Sequence, residues 1–270
     1  MRLSVNHVTV YRYDTPVRAV VQSHRLTPSV FDGQKAVDWN ISVSGGLLGG
    51  GFRDGAGDYV QGWTVAGPLS EITVTVQGTV DTRDLAGMLR GHRELTPPGA
   101  YMRETHPTRA DIALTDLARG VEAGTSDRLA LAHALSEAVS DAIVWRSGQT
   151  HSHTTAAEAL AMGEGVCQDH AHALIACARL RDLPARYVSG YLHTETSATA
   201  KDAAHAWAEI HINGLGWIGF DPANRCCPDE RYIRLGSGDD AQGAAPIRGT
   251  ARGGAEETLD VSVAVSSHQQ

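Results

Sequence analysis

The sequence predicts an α+β protein in which a β-rich segment precedes a set of helices and then a second group of antiparallel strands. Three observations carry this. From Glu71 to Val80, Ile72, Val74, Val76 and Val80 fall on one face and Thr73, Thr75, Gln77 and Thr79 on the other, the period of a half-buried strand. From Thr108 to Leu183 the apolar residues recur at helical spacing instead. From Ala204 to Ile212 strict alternation returns.

The β-rich segment opens at Leu3, Val5 and His7 through Tyr11, and Val37, Trp39, Ile41 and Val43 repeat the period. Gly45-Gly46, Gly49-Gly50-Gly51 and Asp54-Gly55 supply turn chemistry between its strands. A connector from Arg90 to Thr108, containing Pro97-Pro98 and Pro107, leads to the helices. Thr108 or Ala110-Asp111 opens the first, with Ile112, Leu114, Leu117 and Val121 apolar; Ser126 caps the second, with Leu129, Leu131, Leu135 and Val139 apolar. Thr154 or Thr155 caps a third, with Glu158 in its first turn. A glycine-rich turn and an apolar helix follow, then strands from Ala185 onward. Residues 236–254 read as a long surface loop before a last strand at Thr258 to Val265. The division expected is a β-rich domain over residues 1–90, framing the cleft and selecting substrate, and a second domain over 91–270.

The 270 residues are ample for a core without staples. A net charge of -8, with Lys35 and Lys201 the only lysines, argues against a nucleic-acid or anionic-membrane surface. No apolar run is long enough to span a bilayer, and the chain opens directly into a strand pattern rather than a basic and then apolar leader. A cytoplasmic protein is expected, its four cysteines free, catalytic or metal-bound rather than paired.

Gly163-Glu164-Gly165-Val166-Cys167-Gln168-Asp169 is the sharpest local feature. It delivers a cysteine to the start of a helix that ends near Leu183, before Pro184. Free backbone N–H groups and the helix dipole there favour a thiolate and a developing oxyanion. A buried structural cysteine would fit the turn alone. The helix is apolar nearly all round, with Cys167, Ala171, Leu174 and Ala178 on one face, and so should be buried; Cys177 belongs to the core.

A thiolate nucleophile needs a base, and the base an orienter. Ala206, Ala208, Ile210 and Ile212 share one strand face; His205, Trp207, Glu209 and His211 share the other. After Asn213-Gly214 the chain returns through Trp217-Ile218-Gly219-Phe220-Asp221. Ile218 and Phe220 must join the core face, which pairs Ile210 with Ile218 and Ala208 with Phe220. His205 then lies diagonally from Asp221, roughly 7–8 Å away at the backbone and within side-chain reach. Asparagine-glycine favours a two-residue loop, but that register would turn His205 to the other face. Several buried side chains, at about 1.5–3 kcal/mol each, outweigh a turn preference. The loop is therefore expected to include Leu215 or a bulge, with Gly214 or Gly216 left-handed. His205 Nδ1 is expected on Asp221, leaving Nε2 toward Cys167.

Gly165-Val166-Cys167-Gln168-Asp169, Pro184-Ala185-Arg186-Tyr187-Val188-Ser189-Gly190-Tyr191, His205-Ala206-Trp207-Ala208-Glu209 and Gly216-Trp217-Ile218-Gly219-Phe220-Asp221-Pro222 together resemble the bacterial transglutaminase-like superfamily, whose members are often described as cysteine proteases. His7 with Tyr11-Arg12-Tyr13, then Arg25-Leu26-Thr27-Pro28, resemble that family's N-terminal β-domain. The resemblance implies a papain-like core, a nucleophile helix packed on an antiparallel sheet. It implies Cys167 as nucleophile, His205 as general base and acid, and Asp221 as orienter. One departure is visible. Where the family reads Gly-Arg-Asp-Tyr, this chain has Gly238-Asp239-Asp240-Ala241, so the family's contacts from that loop are not carried over.

The chemistry expected is acyl transfer or hydrolysis of a peptide or other amide through a thioester on Cys167, with no cofactor. Protein cross-linking by the same intermediate, and a non-catalytic binding module, are the alternatives; the complete Cys167, His205 and Asp221 set speaks against the module. Trp207 is a candidate substrate contact, and with Trp145 a candidate cleft wall, against core filling. His151, His153, His170, His172, Cys226 and Cys227 lack the paired spacing of a structural zinc site, and no metal is expected.

Overall fold

The computed structural model describes residues 1–122, 127–194 and 203–267. In chain order the elements are β1 (Arg2–His24), β2 (Gln34–Val43), β3 (Gly46–Arg53), β4 (Tyr59–Thr82), a 3-10 turn (Pro98–Met102), α1 (Ile112–Gly120), α2 (Arg128–Ala142), β5 (Val144–Trp145), α3 (Ala156–Met162), β6 (Glu164–Gly165), α4 (Cys167–Leu180), β7 (Ala185–Leu192), β8 (Ala204–Ile212), β9 (Gly216–Phe220), β10 (Tyr232–Gly238), β11 (Ile247–Arg252) and β12 (Glu257–Ser267). This is a mixed α+β fold with a β-rich N-terminal layer and a papain- or transglutaminase-like core.

The first sheet is built on two long antiparallel strands, β1 and β4. Ile72, Val74, Val76 and Val80 all point into its core, as their alternation predicts. The ladder breaks between Arg12 and Ala19, where Gly67 and Pro68 have no paired partner, because proline has no N–H to give. Val37 departs from its predicted face: the β2–β4 register shifts between Ala36 and Asp38, and Val37 is exposed. Gly49-Gly50-Gly51 is not a turn either. It lies inside β3, where the register shifts between Leu48 and Gly51.

The C-terminal chain returns to this first sheet. β11 pairs with residues 19–24 of β1, and β12 pairs with residues 3–13. A division at residue 90 therefore does not separate the two sheets, since residues 247–267 complete the first one. The stretch read as a surface loop over 236–254 likewise contains the end of β10 and all of β11. Its Gly/Ala-rich composition hid a strand whose apolar content is low.

The second sheet is antiparallel in the order β10-β7-β8-β9. Helix α4 packs on one face, where Ala171, Leu174, Ala178, Ala208, Ile210, Ile218 and Phe220 share a core with α1, α2 and α3. Thr155 closes a capping box with Glu158 at the start of α3, and Asp111 caps α1. Ser126 lies outside the described residues; Asp127 caps α2, accepting from the Leu129 and Ala130 N–H groups.

The opposite face of the second sheet is buried too, which simple alternation did not anticipate. Glu209 accepts from Arg186 Nε at 2.7 Å and from Arg234 Nε at 2.8 Å. Arg234 continues to Asp58 of the N-terminal layer at 2.6 Å, and Arg186 to Glu94 at 2.5 Å. Arg186 also stacks on Trp217 at 4.0 Å. Polar residues on a strand face can thus mark a buried ionic layer rather than water, provided each charge is paired.

Candidate active site

Cys167 is the first residue of α4, reached through β6 and Val166. The turn is fixed by Asp169, whose buried carboxylate accepts from the Val166 N–H at 2.8 Å and from the Thr150 hydroxyl at 2.6 Å. Gly165 is required here, since a Cβ would lie 2.8 Å from Asp169 Cβ. Asp169 and His170 N–H groups bond back to the Val166 carbonyl. Among the described residues the Cys167 and Gln168 N–H groups have no protein acceptor, which leaves two donors at a positive helix end.

The β8–β9 hairpin has the register that core packing predicts. Ala208 faces Phe220 and Ile210 faces Ile218. The loop is Asn213-Gly214-Leu215, with Gly214 at φ 84° and Gly216 at φ 86°. His205 and Asp221 consequently meet: His205 Nε2 lies 2.6 Å from Asp221 Oδ2. The nitrogen differs from the expectation. Nε2, not Nδ1, faces the carboxylate. Sequence fixes which residues share a face; it does not fix the rotation of an imidazole about its side-chain bonds.

Two further side chains that sequence reasoning missed hold Asp221. Tyr232 Oη donates to Oδ2 at 2.8 Å, and Asn224 Nδ2 donates to the same oxygen at 2.7 Å. The Asn224 N–H reaches Oδ1 at 3.3 Å. Asn224 was findable, because Asp and Asn three residues apart around a proline are turn residues whose side chains bond to the nearby chain. Tyr232, from β10, carried no local signal.

Electrostatics follow from these contacts. Burial alone would lower the His205 pKa; the hydrogen bond to Asp221 and the influence of Cys167 raise it to about 10. Burial opposes ionisation of Asp221, but His205, Asn224 and Tyr232 hold its pKa below the usual carboxylate range. The arrangement therefore favours a protonated imidazole beside the Asp221 carboxylate.

Trp207 is 3% exposed and packs with Val188, Leu192 and Tyr232. Its ring stacks on His205, with centroids 6.3 Å apart, and so backs the imidazole. Trp145, by contrast, is exposed beside β6. Cys177 is buried, and its thiol is pushed up to about 12 by burial. His170 is held between the Val166 and Ile143 carbonyls, and His172 accepts from the Ala241 N–H, so neither is aimed at a shared ion. Among the described residues no group of three or more His, Cys, Asp or Glu side chains is arranged to hold a metal.

The model of the transglutaminase-like superfamily matches residues 115–222, and that of the bacterial transglutaminase-like N-terminal region matches residues 3–81. An uncharacterized protein of Mycobacterium tuberculosis (strain ATCC 25618 / H37Rv) is 30% identical over 289 residues, covering 98% of this chain and 92% of its own. One of Mycobacterium leprae (strain TN) is 29% identical over 290 residues, covering 98% of each. The crystal structure of a candidate cysteine protease from Cytophaga hutchinsonii superposes with a TM-score of 0.74 at 21% identity, covering 100% of this chain and 92% of that one. At that identity the likeness speaks for the fold.

Proposed function

Because this chain belongs to the transglutaminase-like superfamily with its bacterial N-terminal region, a group associated with cysteine-dependent amide chemistry, we propose that it is a cysteine hydrolase acting on a peptide or other amide. The observation that carries this reading is the buried hydrogen bond of His205 to Asp221, with Cys167, at a helix N-terminus, acting on the same imidazole.

The chemistry follows from the geometry. The Cys167 thiolate adds to the amide carbonyl, and the carbonyl oxygen becomes an oxyanion. In this reading the Cys167 and Gln168 N–H groups, at the positive end of α4, receive it. As the C–N bond breaks, the His205 imidazolium gives its proton to the leaving amine, and an acyl thioester remains on Cys167. His205, now neutral, takes a proton from water as the water adds to the thioester. Collapse releases the carboxylic acid and restores the thiolate and imidazolium. Asp221 keeps the ring oriented and stabilises its charge in both half-reactions. An amine in place of water would give transamidation from the same thioester.

Mass spectrometry of the protein after incubation with a p-nitrophenyl acyl ester tests the first half-reaction. Wild type should carry the acyl group on Cys167, and Cys167→Ala should carry none while keeping its fold by circular dichroism. Acylation that persists in Cys167→Ala would remove the basis of the mechanism. Release into water or onto added glycine methyl ester then separates hydrolysis from transamidation.

A further inference from the structure

Beside the proposed nucleophile lies a strand edge that the mechanism above does not use. Among the described residues β5 has one neighbour, the parallel strand β6, with Val144 opposite Glu164 and Trp145 opposite Gly165. The Val144 N–H donates to the Gly163 carbonyl at 2.8 Å, and the Arg146 N–H to the Gly165 carbonyl at 2.9 Å. In a parallel ladder alternate residues face the partner strand. Residues 144 and 146 are therefore committed to β6, and the N–H and C=O of Trp145 point away from it.

That outer side is open. Val144 is 57% and Trp145 56% exposed, and residues 146–149 are exposed as well. The edge is also held in place, since Arg146 bridges to Glu164 across the two strands at 2.5 Å. Its position relative to the chemistry is fixed by connectivity. β6 runs through Val166 directly into Cys167. One interstrand step of about 4.8 Å and two residues of about 3.3 Å each put the Trp145 edge within roughly 10 Å of the nucleophile. An extended chain of three or four residues spans that distance.

We propose that the acyl donor is an extended polypeptide segment that adds a strand to β5. One substrate residue exchanges both main-chain hydrogen bonds with Trp145 in antiparallel fashion, and the Trp145 indole packs on a neighbouring substrate side chain. This inference rests on the acyl-transfer reading of Cys167 and adds the substrate class to it: polypeptide in extended conformation rather than a small amide.

The test uses acyloxymethyl ketone probes that alkylate a catalytic thiol, in the full-length protein. A tetrapeptide probe library is compared with single-residue probes, and the best tetrapeptide is then N-methylated one amide at a time. Wild type should react with the best tetrapeptide at least tenfold faster than with single-residue probes. N-methylation should cost about tenfold at one position and little at the adjacent ones, the pattern of a strand pair worth two ordinary hydrogen bonds. Trp145→Ala should lose the side-chain preference but keep the sensitive position. Trp145→Pro should lose both. Proline is tolerated there because the Trp145 N–H makes no bond to β6, and a melting temperature checks that it is. Equal rates for long and short probes, or an N-methyl scan without a sensitive position, would overturn strand addition while leaving the thiol chemistry standing. No reaction at Cys167 with any ketone probe, in protein whose Cys167 is still alkylated by iodoacetamide, would overturn the acyl-transfer reading itself.

Discussion

Cys167 and Cys177 lie on the same helix, yet their surroundings assign them different chemistry. Cys167 acts on the His205 imidazole and has open helix-end N–H groups beside it; Cys177 sits in the apolar core with its thiol raised to about 12. Cys177→Ala is therefore expected to leave turnover unchanged and to cost about 1 kcal/mol of stability, the loss of one buried sulfur-sized group. Urea denaturation and a rate measurement on the same preparation check both halves. The His205 pKa of about 10 sets a second expectation. The imidazolium that must protonate the leaving amine persists through neutral pH and is lost as pH rises through about 10. The rate of amide cleavage should thus hold on the alkaline side and fall near pH 10. A fall already near pH 7 would show that the ion pair is not formed. At this scale the sequence named Cys167, His205 and Asp221, because helix ends and strand faces leave periodic traces. It missed Tyr232 and the ring rotation of His205, which depend on contacts between elements far apart in the chain.

The hairpin of β8 and β9 shows why an element can be read against its own strongest local signal. Asparagine-glycine at 213–214 asks for a two-residue loop, but Ile210, Ile218, Ala208 and Phe220 must all enter one core, and the loop takes in Leu215 instead. Gly214 and Gly216 absorb the cost by adopting left-handed backbone, and added Cβ atoms there would meet nothing within 4 Å. Gly216→Ala should therefore cost about 1–2 kcal/mol through backbone strain alone, read as a lower urea midpoint. Reaction of Cys167 with iodoacetamide should keep its pH dependence, because packing and not the loop sets the register. A changed pH profile would mean the loop itself positions His205. The elements that sequence misplaced share one cause. The glycine run in β3, and β11 inside the Gly/Ala-rich stretch, are strands through main-chain pairing to β4 and β1, and pairing leaves no side-chain periodicity to read.

At the scale of the whole molecule, three of the buried histidines, His7, His24 and His172, are distributed over both layers. His7 bonds to Tyr191 and Thr9 and joins the first sheet to the second; His24 Nε2 donates to the Gln22 amide oxygen beside Trp63; His172 accepts from the Ala241 N–H behind α4. Burial lowers each to about 4. The unfolded chain, with ordinary histidine pKa values near 6.5, binds these protons more readily than the folded one. Their neutral burial is therefore without penalty well above pH 6.5, and stability is lost as pH falls from there toward 4. By pH 5 each histidine should have cost about 2 kcal/mol, a total on the order of 6 kcal/mol, comparable with the whole stability of many domains. Glu209 behaves differently. Burial opposes its charge, but Arg234 and Arg186 hold its pKa at about 2, so its contribution begins to fall only below about pH 4.5. A loss between pH 6.5 and 5 consequently belongs to histidine and not to the ionic layer. Urea midpoints at pH 7.5, 6.5, 5.5 and 5.0 should drop steeply over that interval, and His24→Gln, which cannot be protonated, should flatten the drop by about a third. A profile flat to pH 5 would mean that the three imidazoles find water or charge partners in the folded protein.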